Sequence, residues 1–475
     1  MGPPSDEKSP AATPAECQVN GEPTERPDDA GEVEVIEPDD TALGRIASAG
    51  VAPASRARSH SASNLPPPPD GGLQAWTQVG AGWLVIFATW GYLNSFGSFQ
   101  SYYTSVLTGQ DPSAISWIGS IQAYLTTAVG AFTGRLLDAG LFLPTFTAGA
   151  VIQLAGLFAM SASDSPKYWV LMVTQGLMTG LGGGILFTPT IALVATWFKK
   201  HRGLAIGLAT TGNSAGGIIY PIIVRQLIPR VGFAWTARAL GLVNLVCFGV
   251  AALLLRSRLP PRRSGALLDL PAFKEGVYSF YVAGLFCFLW ANYYAFYYIF
   301  LLTSFRIASF AMEHLGLSYS EASKFIMLVN GAGLPARILV PMLADRIGPL
   351  NVMTASALSV AVVILAWMGV DSIPGLYAFT TVLGITSGAV QSLMPTIVAS
   401  ITRRLDTVGT RLGMCFSVVS IASLTGPPIG GALQAADGGR FTGAQAWAGV
   451  AALLGGVFMM TSRWFQVGWG LKRRC

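Results

Sequence analysis

Apolar runs recur along almost the whole chain from Leu73 onward, separated by short polar breaks. They fall at 74–102, 114–136, 143–162, 168–196, 203–225, 235–256, 277–303, 322–343, 351–370, 375–400, 409–433 and 444–465. A run of about 20 apolar residues at 1.5 Å rise per residue crosses a hydrocarbon core of roughly 30 Å. The pattern therefore predicts an all-α integral membrane protein with twelve transmembrane helices. A water-soluble bundle is excluded, because nothing after Leu73 offers enough polar surface to cover twelve such helices. Small-residue stretches such as Gly180-Leu181-Gly182-Gly183-Gly184 predict close helix approaches within the membrane.

Residues 1–71 have a different character. They are rich in Pro, Asp, Glu, Ala and Ser and end near Pro66-Pro67-Pro68-Pro69. Such a segment buries too little apolar surface to offset ordering and is expected to be a disordered tail. The polar start predicts no signal peptide. The expected division is a tail at 1–71, a six-helix bundle at 72–258, a linker at 259–275, a second six-helix bundle at 276–466 and a basic end at 467–475.

Composition agrees with this division. The 475 residues are 52% hydrophobic and only 11% charged. Thirteen of the 24 acids precede Gly71, whereas 25 of the 30 basic residues follow it. The basic residues cluster in alternate loops, as retention on the cytoplasmic side requires, and not as a nucleic-acid footprint. One set holds Arg135, Lys199, Lys200, Arg202, Arg256, Arg258, Arg262, Arg263, Lys274, Arg346, Arg403, Arg404 and Arg411, and the C-terminal end adds Arg463, Lys472, Arg473 and Arg474. The opposite set is sparser: Lys167, Arg225, Arg230, Arg238, Arg306, Lys324 and Arg440. Both termini are thus expected in the cytoplasm. Cys17, Cys247, Cys287, Cys415 and Cys475 show no framework spacing, so disulfides are not expected.

The two halves repeat. Gly182 matches Gly388, Pro189-Thr190-Ile191 matches Pro395-Thr396-Ile397, Gly207 matches Gly413 and Pro221 matches Pro427, all 206 residues apart. Asp138 and Asp345 are 207 apart. Two related bundles imply a pseudo-twofold axis along the membrane normal and a substrate site between them. Pro189 and Pro395 are candidate helix kinks, since proline removes a backbone hydrogen bond.

Gly134-Arg135-Leu136-Leu137-Asp138-Ala139-Gly140 and Pro341-Met342-Leu343-Ala344-Asp345-Arg346-Ile347-Gly348 resemble the loop signature of the major facilitator superfamily. The resemblance implies a cytoplasmic latch formed by Gly134, Asp138, Arg202, Asp345, Arg346 and Gly348. Each Asp would meet positive charge or a helix N-terminus in one state of the transport cycle. Asp70-Gly71-Gly72-Leu73-Gln74-Ala75-Trp76 is similar to the lead-in of the monocarboxylate transporter family. So is Trp197-Phe198-Lys199-Lys200-His201-Arg202-Gly203-Leu204-Ala205-Ile206-Gly207. Asn94-Ser95-Phe96-Gly97, Tyr102-Tyr103 and the stretch from Asn330-Gly331 to Arg337 resemble the fungal branch of that family. The resemblance covers about residues 70–470.

It implies facilitated or proton-linked movement of a small organic acid. In the fungal branch it also implies export of secondary metabolites or uptake of riboflavin. A transporter-derived sensor remains open beside these. Animal lactate carriers place Lys where Ser98 stands and Asp where Gly333 stands, so their proton relay does not carry over. The family places its default in the plasma membrane.

Arg337 is the single charged side chain well inside a run. A charge near the bilayer centre costs about 2.5–3.5 kcal/mol and usually faces a cavity or partner. It either forks onto a substrate carboxylate, or snorkels to the cytoplasmic surface or packs as a structural ion pair. Asn94, Gln100, Asn292, Tyr293 and Gln391 complete the candidate substrate-binding set, on helices that line the superfamily's cavity (1, 4, 7 and 10). No nucleophile triad, metal cluster or phosphate loop is present in the sequence, so no cofactor and no enzymatic activity are expected. The expected partners are a small-molecule substrate and the lipid bilayer, with the protein acting as a monomer and without nucleic acid.

Overall fold

A computed structural model describes residues 67–110, 112–162, 167–261, 268–300, 319–370, 372–438 and 440–468. The acidic N-terminal segment up to residue 66 and the basic end from residue 469 lie outside the described residues, as do Arg262, Arg263 and Arg306.

The described chain is helical from end to end. The first pass is α1 (Leu73–Asn94) followed by α2 (Phe96–Val106), and the second is α3 (Pro112–Ala128) followed by α4 (Gly130–Asp138). The third is α5 (Phe142–Met160). The fourth runs through α6 (Tyr168–Leu171), a π-helical turn (Met172–Met178) and α7 (Thr179–Trp197). Passes five and six form α8 (Arg202–Leu254), divided at Gly232. The second half follows with α9 (Gly276–Phe300), α10 (Tyr319–Ile347), α11 (Pro349–Ala366), α12 (Ile373–Ile401), α13 (Val408–Ala436) and α14 (Thr442–Val467). Eight stretches of the described residues are each long and apolar enough to cross a membrane. The twelve passes agree with the runs read from the sequence to within a few residues.

The first, second and fourth passes depart from plain α-helix, the fourth at its π turn, and a glycine joins the fifth to the sixth. Ser95, at φ −79° and ψ −7°, separates α1 from α2, and its Oγ donates to Tyr92 O at 2.6 Å. A serine bonding back to the preceding turn competes with the helical ladder and bends it. Val129 separates α3 from α4. There Ser417 of the second half supplies the missing partner: Ala131 N donates to Ser417 Oγ at 3.0 Å, and that Oγ donates to Ala128 O. Hydrocarbon offers no solvent to a broken helix, so a protein group must stand in. Gly232 turns the chain between passes five and six at φ 79°, a conformation open to residues without a Cβ, so the helices meet with almost no loop.

The sequence marks Pro189 and Pro395 as candidate kinks. Both prolines are buried inside α7 and α12, which run on through them as continuous helix. The irregular segment of the fourth pass is the π turn instead.

Within each half, α1 packs along α8, α5 along α7, α9 along α14 and α10 along α12. The halves meet chiefly where α8 crosses α10 and where α3 and α4 cross α13. These two crossings occupy equivalent places in the repeat.

Candidate functional site

Both crossings end in the same device. Asp138, at the end of α4, accepts hydrogen bonds from Gly409 N at 3.1 Å, Thr410 N at 2.7 Å and Thr410 Oγ1 at 2.6 Å. Asp345, near the end of α10, accepts from Gly203 N at 2.7 Å and Leu204 N at 2.9 Å. Those amides are the first-turn donors of α13 and α8, which have no intrahelical partner and carry the positive end of the helix dipole. Each half therefore inserts a carboxylate into a helix start of the other. Arg202 adds a third tie, donating from Nη1 to Ala399 O at 2.8 Å at the end of α12 and from Nε to Phe198 O at 3.0 Å. A guanidinium there meets the negative end of the dipole.

Backbone contact behind the carboxylates makes these bonds reachable. A Cβ on Gly134 would lie 1.9 Å from Gly409 O, and one on Gly413 would lie 1.9 Å from Gly130 O. The α8–α10 crossing is less bare, because Pro341 and Arg337 replace Gly134 and Gly130, yet a Cβ on Gly207 would still lie 2.4 Å from Arg337 O. Gly348 starts α11 at φ 103°, and Gly140 does the equivalent in the first half at φ 79°. Arg346 is exposed and reaches toward solvent.

The two segments that resemble a transporter family lead-in also touch each other. Asp70 Oδ1 accepts from the backbone N–H groups of Lys199 and, at 2.6 Å, Lys200. Trp76 packs on Phe198 with ring centroids 5.1 Å apart. Asp70 thus fixes the loop that leads into α8, three residues before the first amide held by Asp345.

About 22 Å from Asp345, at 1.5 Å per residue along α10, Asn330 reaches a cavity between the halves. The cavity measures about 140 Å³. Its walls come from α1 (Trp90, Asn94), α2 (Phe96, Gln100), α3 (Ser116, Ser120), α8 (Asn213), α9 (Asn292, Tyr293), α10 (Asn330), α12 (Gln391, Met394) and α13 (Ser423). Five of the six residues singled out in the sequence, Asn94, Gln100, Asn292, Tyr293 and Gln391, line this one cavity. No charged residue is among its described walls. No described residue of the fourth pass lines it either, which differs from the expectation that helix 4 would; Phe187 of α7 stands behind Trp90 at 5.2 Å between ring centroids.

Arg337 sits one contact behind the wall. It is 4% exposed, and its Nη2 donates to Gln391 Oε1 at 2.9 Å while its Nε donates to Ser214 Oγ at 2.9 Å. Gln391 belongs to the second half and Ser214 to the first, so the guanidinium also bridges the halves. Both partners are neutral, and among the described residues no carboxylate lies within ion-pair distance of it. Gly333, one turn earlier on α10, has no room for a side chain: its Cβ would lie 2.8 Å from Gly384 O. Asn213, Asn330, Ser214 and Trp90 were not singled out as site residues from the sequence. Gly212-Asn213-Ser214 was the available signal, a polar step inside an otherwise apolar run.

The sequence profile of the Major Facilitator Superfamily matches residues 79–378 and 308–467. The chain belongs to the major facilitator superfamily (MFS). An MFS-type transporter from Gibberella zeae is 39% identical over 404 residues, covering 85% of this chain and 89% of that one. The MFS transporter asaE of Aspergillus flavus is 35% identical over 411 residues, covering 85% and 90%. Among solved structures, the human organic anion transporter MFSD10 superposes with a TM-score of 0.63 at 16% identity, over 82% of this chain and 99% of its own. FucP in its outward conformation gives 0.61 at 16% identity, with the same coverage. The protein is therefore an MFS transporter and not an enzyme, with the all-helical MFS fold.

Proposed function

We propose that this MFS transporter carries a small organic anion, a monocarboxylate-like metabolite, by alternating access, and that it exports a secondary metabolite across the plasma membrane. The observation that carries this reading is Arg337. A buried guanidinium held by two neutral groups is a fixed positive charge without a counter-ion among the described residues. Such an arrangement favours an arriving anion, because a charge in a low-dielectric setting is stabilised most by an opposite charge. Gln391 is the contact through which an occupant of the cavity reaches it. The absence of room at Gly333 argues against an acid there acting as a proton relay.

On this reading, with the basic loops in the cytoplasm, the carboxylate ties close the cytoplasmic end of the described state. Export then alternates this state with one in which both ties are broken. The similarity to fungal MFS-type transporters, at 39% and 35% identity, supports the transporter part of this reading.

Flux of radiolabelled organic acids into proteoliposomes tests the reading, wild type against Arg337→Ala and Arg337→Lys. Arg337→Ala should reduce anion flux by tenfold or more. Lysine, lacking the planar fork, should restore only part of it. Equal flux in wild type and Arg337→Ala removes the anion clamp, and no flux of any acid in wild type favours a sensor.

A further inference from the structure

Three buried polar atoms in the walls of the central cavity have no hydrogen-bond partner among the described residues: Gln100 Oε1, Asn292 Oδ1 and Trp90 Nε1. Gln100 is 1% exposed and Asn292 is 3% exposed. Gln100 Nε2 donates to Ser116 Oγ at 2.9 Å, which leaves the carbonyl oxygen over. Buried polar atoms are nearly always paired in folded proteins, so three orphans sharing one cavity need an explanation. They come from both halves, Gln100 and Trp90 from the first and Asn292 from the second.

We infer that the cargo is a hydroxylated aromatic acid, whose hydroxyl groups donate to Gln100 Oε1 and Asn292 Oδ1 and whose oxygen atoms accept from Trp90 Nε1. The inference rests on the proposed anion carrier and adds the chemistry of the cargo's other end. Two amide oxygens repel a carboxylate, so they do not mark the acid's place. They match O–H donors. The acid end belongs toward Gln391, behind which Arg337 stands. Phe96 and Tyr293 offer rings against which a planar body can pack. A short aliphatic acid such as lactate would leave at least one of the amide oxygens unpaired, which a site built to bond hydroxyl groups discriminates against.

The test uses the purified full-length protein and three probes: benzoate, 3,5-dihydroxybenzoate and the methyl ester of the latter. Binding is read by thermal stabilisation and by competition for flux in proteoliposomes. In wild type the dihydroxy acid should bind on the order of tenfold more tightly than benzoate, about one hydrogen bond's worth or more. Gln100→Met and Asn292→Leu, which keep volume and remove the acceptor, should shrink that ratio toward one. Arg337→Gln should weaken both acids by the same factor and leave the ratio intact. Equal binding of the two acids by wild type assigns the three atoms to solvent and overturns the inference, and it does so without reference to any variant's folding. Failure of both phenols to bind also overturns it. If the methyl ester binds as well as the dihydroxy acid while the hydroxyl preference persists, the anion reading fails and the hydroxyl recognition stands.

Discussion

The carboxylate of Asp345 stands 2.7 Å from the backbone N–H of Gly203, in the other half of the chain. Asp138 repeats the relationship with Thr410 N, also at 2.7 Å. Charge-assisted bonds to helix-start amides are roughly twice as strong as neutral ones, and the helix dipole adds about 0.3–1 kcal/mol. Replacing either Asp by Ala should therefore cost the closed state about 1.5–3 kcal/mol, a ten- to hundredfold shift in population. Spin labels on the exposed residues Leu136 and Ile347 should move apart in Asp138→Ala and Asp345→Ala, and furthest in the double variant. An unchanged distance distribution would show that the latches do not hold this end shut.

The α4–α13 crossing tolerates no side chain. Gly413→Ala places a methyl group 1.9 Å from Gly130 O, a backbone atom that cannot rotate away. The clash exists only while the two helices are in contact, so the other transport state should accept it. Gly413→Ala should fold and insert normally, lose transport by tenfold or more, and show the same widened label separation as the latch variants. Misfolding, or transport at the wild-type rate, would contradict a glycine role confined to the closed state.

Gly333 invites the reverse substitution. Gly333→Asp restores the acid that the lactate-carrier resemblance places in this helix, four residues before Arg337. The Cβ would meet Gly384 O at 2.8 Å, so the acid could be housed only by separating α10 from α12. Overpacking of this kind typically costs about 1–3 kcal/mol, and a displaced buried carboxylate adds to it. The thermal midpoint of the purified variant should fall, with no gain of pH-dependent flux. A stable variant that acquires proton coupling would mean that the helices can part here at little cost.

Much of this architecture could be read from hydropathy alone, because a bilayer demands long apolar helices and little else satisfies the demand. The latch aspartates also stand out, since an acid at the end of an apolar run has few structural excuses. What they bond to does not stand out. Gly203 and Gly409 look like ordinary helix starts, and only the crossing of the halves brings them to Asp345 and Asp138. The breaks at Ser95 and Val129 escaped the sequence reading for a related reason. Neither contains proline, the flanking Gly97 and Gly130 are two among many glycines in these runs, and the group that stabilises the second break comes from Ser417, far along the chain. Arg337 was conspicuous as a lone charge, but its separation from the cavity by Gln391 depends on side-chain packing that no local pattern encodes.

Asp70 gives a prediction with two boundaries a few residues apart. Its carboxylate holds the amides of Lys199 and Lys200, and Arg258 Nη2 donates to Pro67 O at 3.0 Å, so the described N-terminal segment is pinned on the loop that begins α8. That loop leads directly into the amides accepted by Asp345, so loosening it should weaken the latch without touching either latch residue. Removing residues 1–66 should leave transport intact, because every one of these contacts survives. Removing residues 1–72, or substituting Asp70→Ala, should expose Lys199 and Lys200 to trypsin and widen the Leu136–Ile347 label separation by part of the shift seen in Asp345→Ala. The loss of the carboxylate acceptor for two amides on an exposed loop corresponds to about 1–2 kcal/mol, less than a latch carboxylate. Equal trypsin sensitivity in wild type and Asp70→Ala would show that the loop holds its shape unaided. Loss of transport on removing residues 1–66 would place a working part of the transporter in the acidic segment itself.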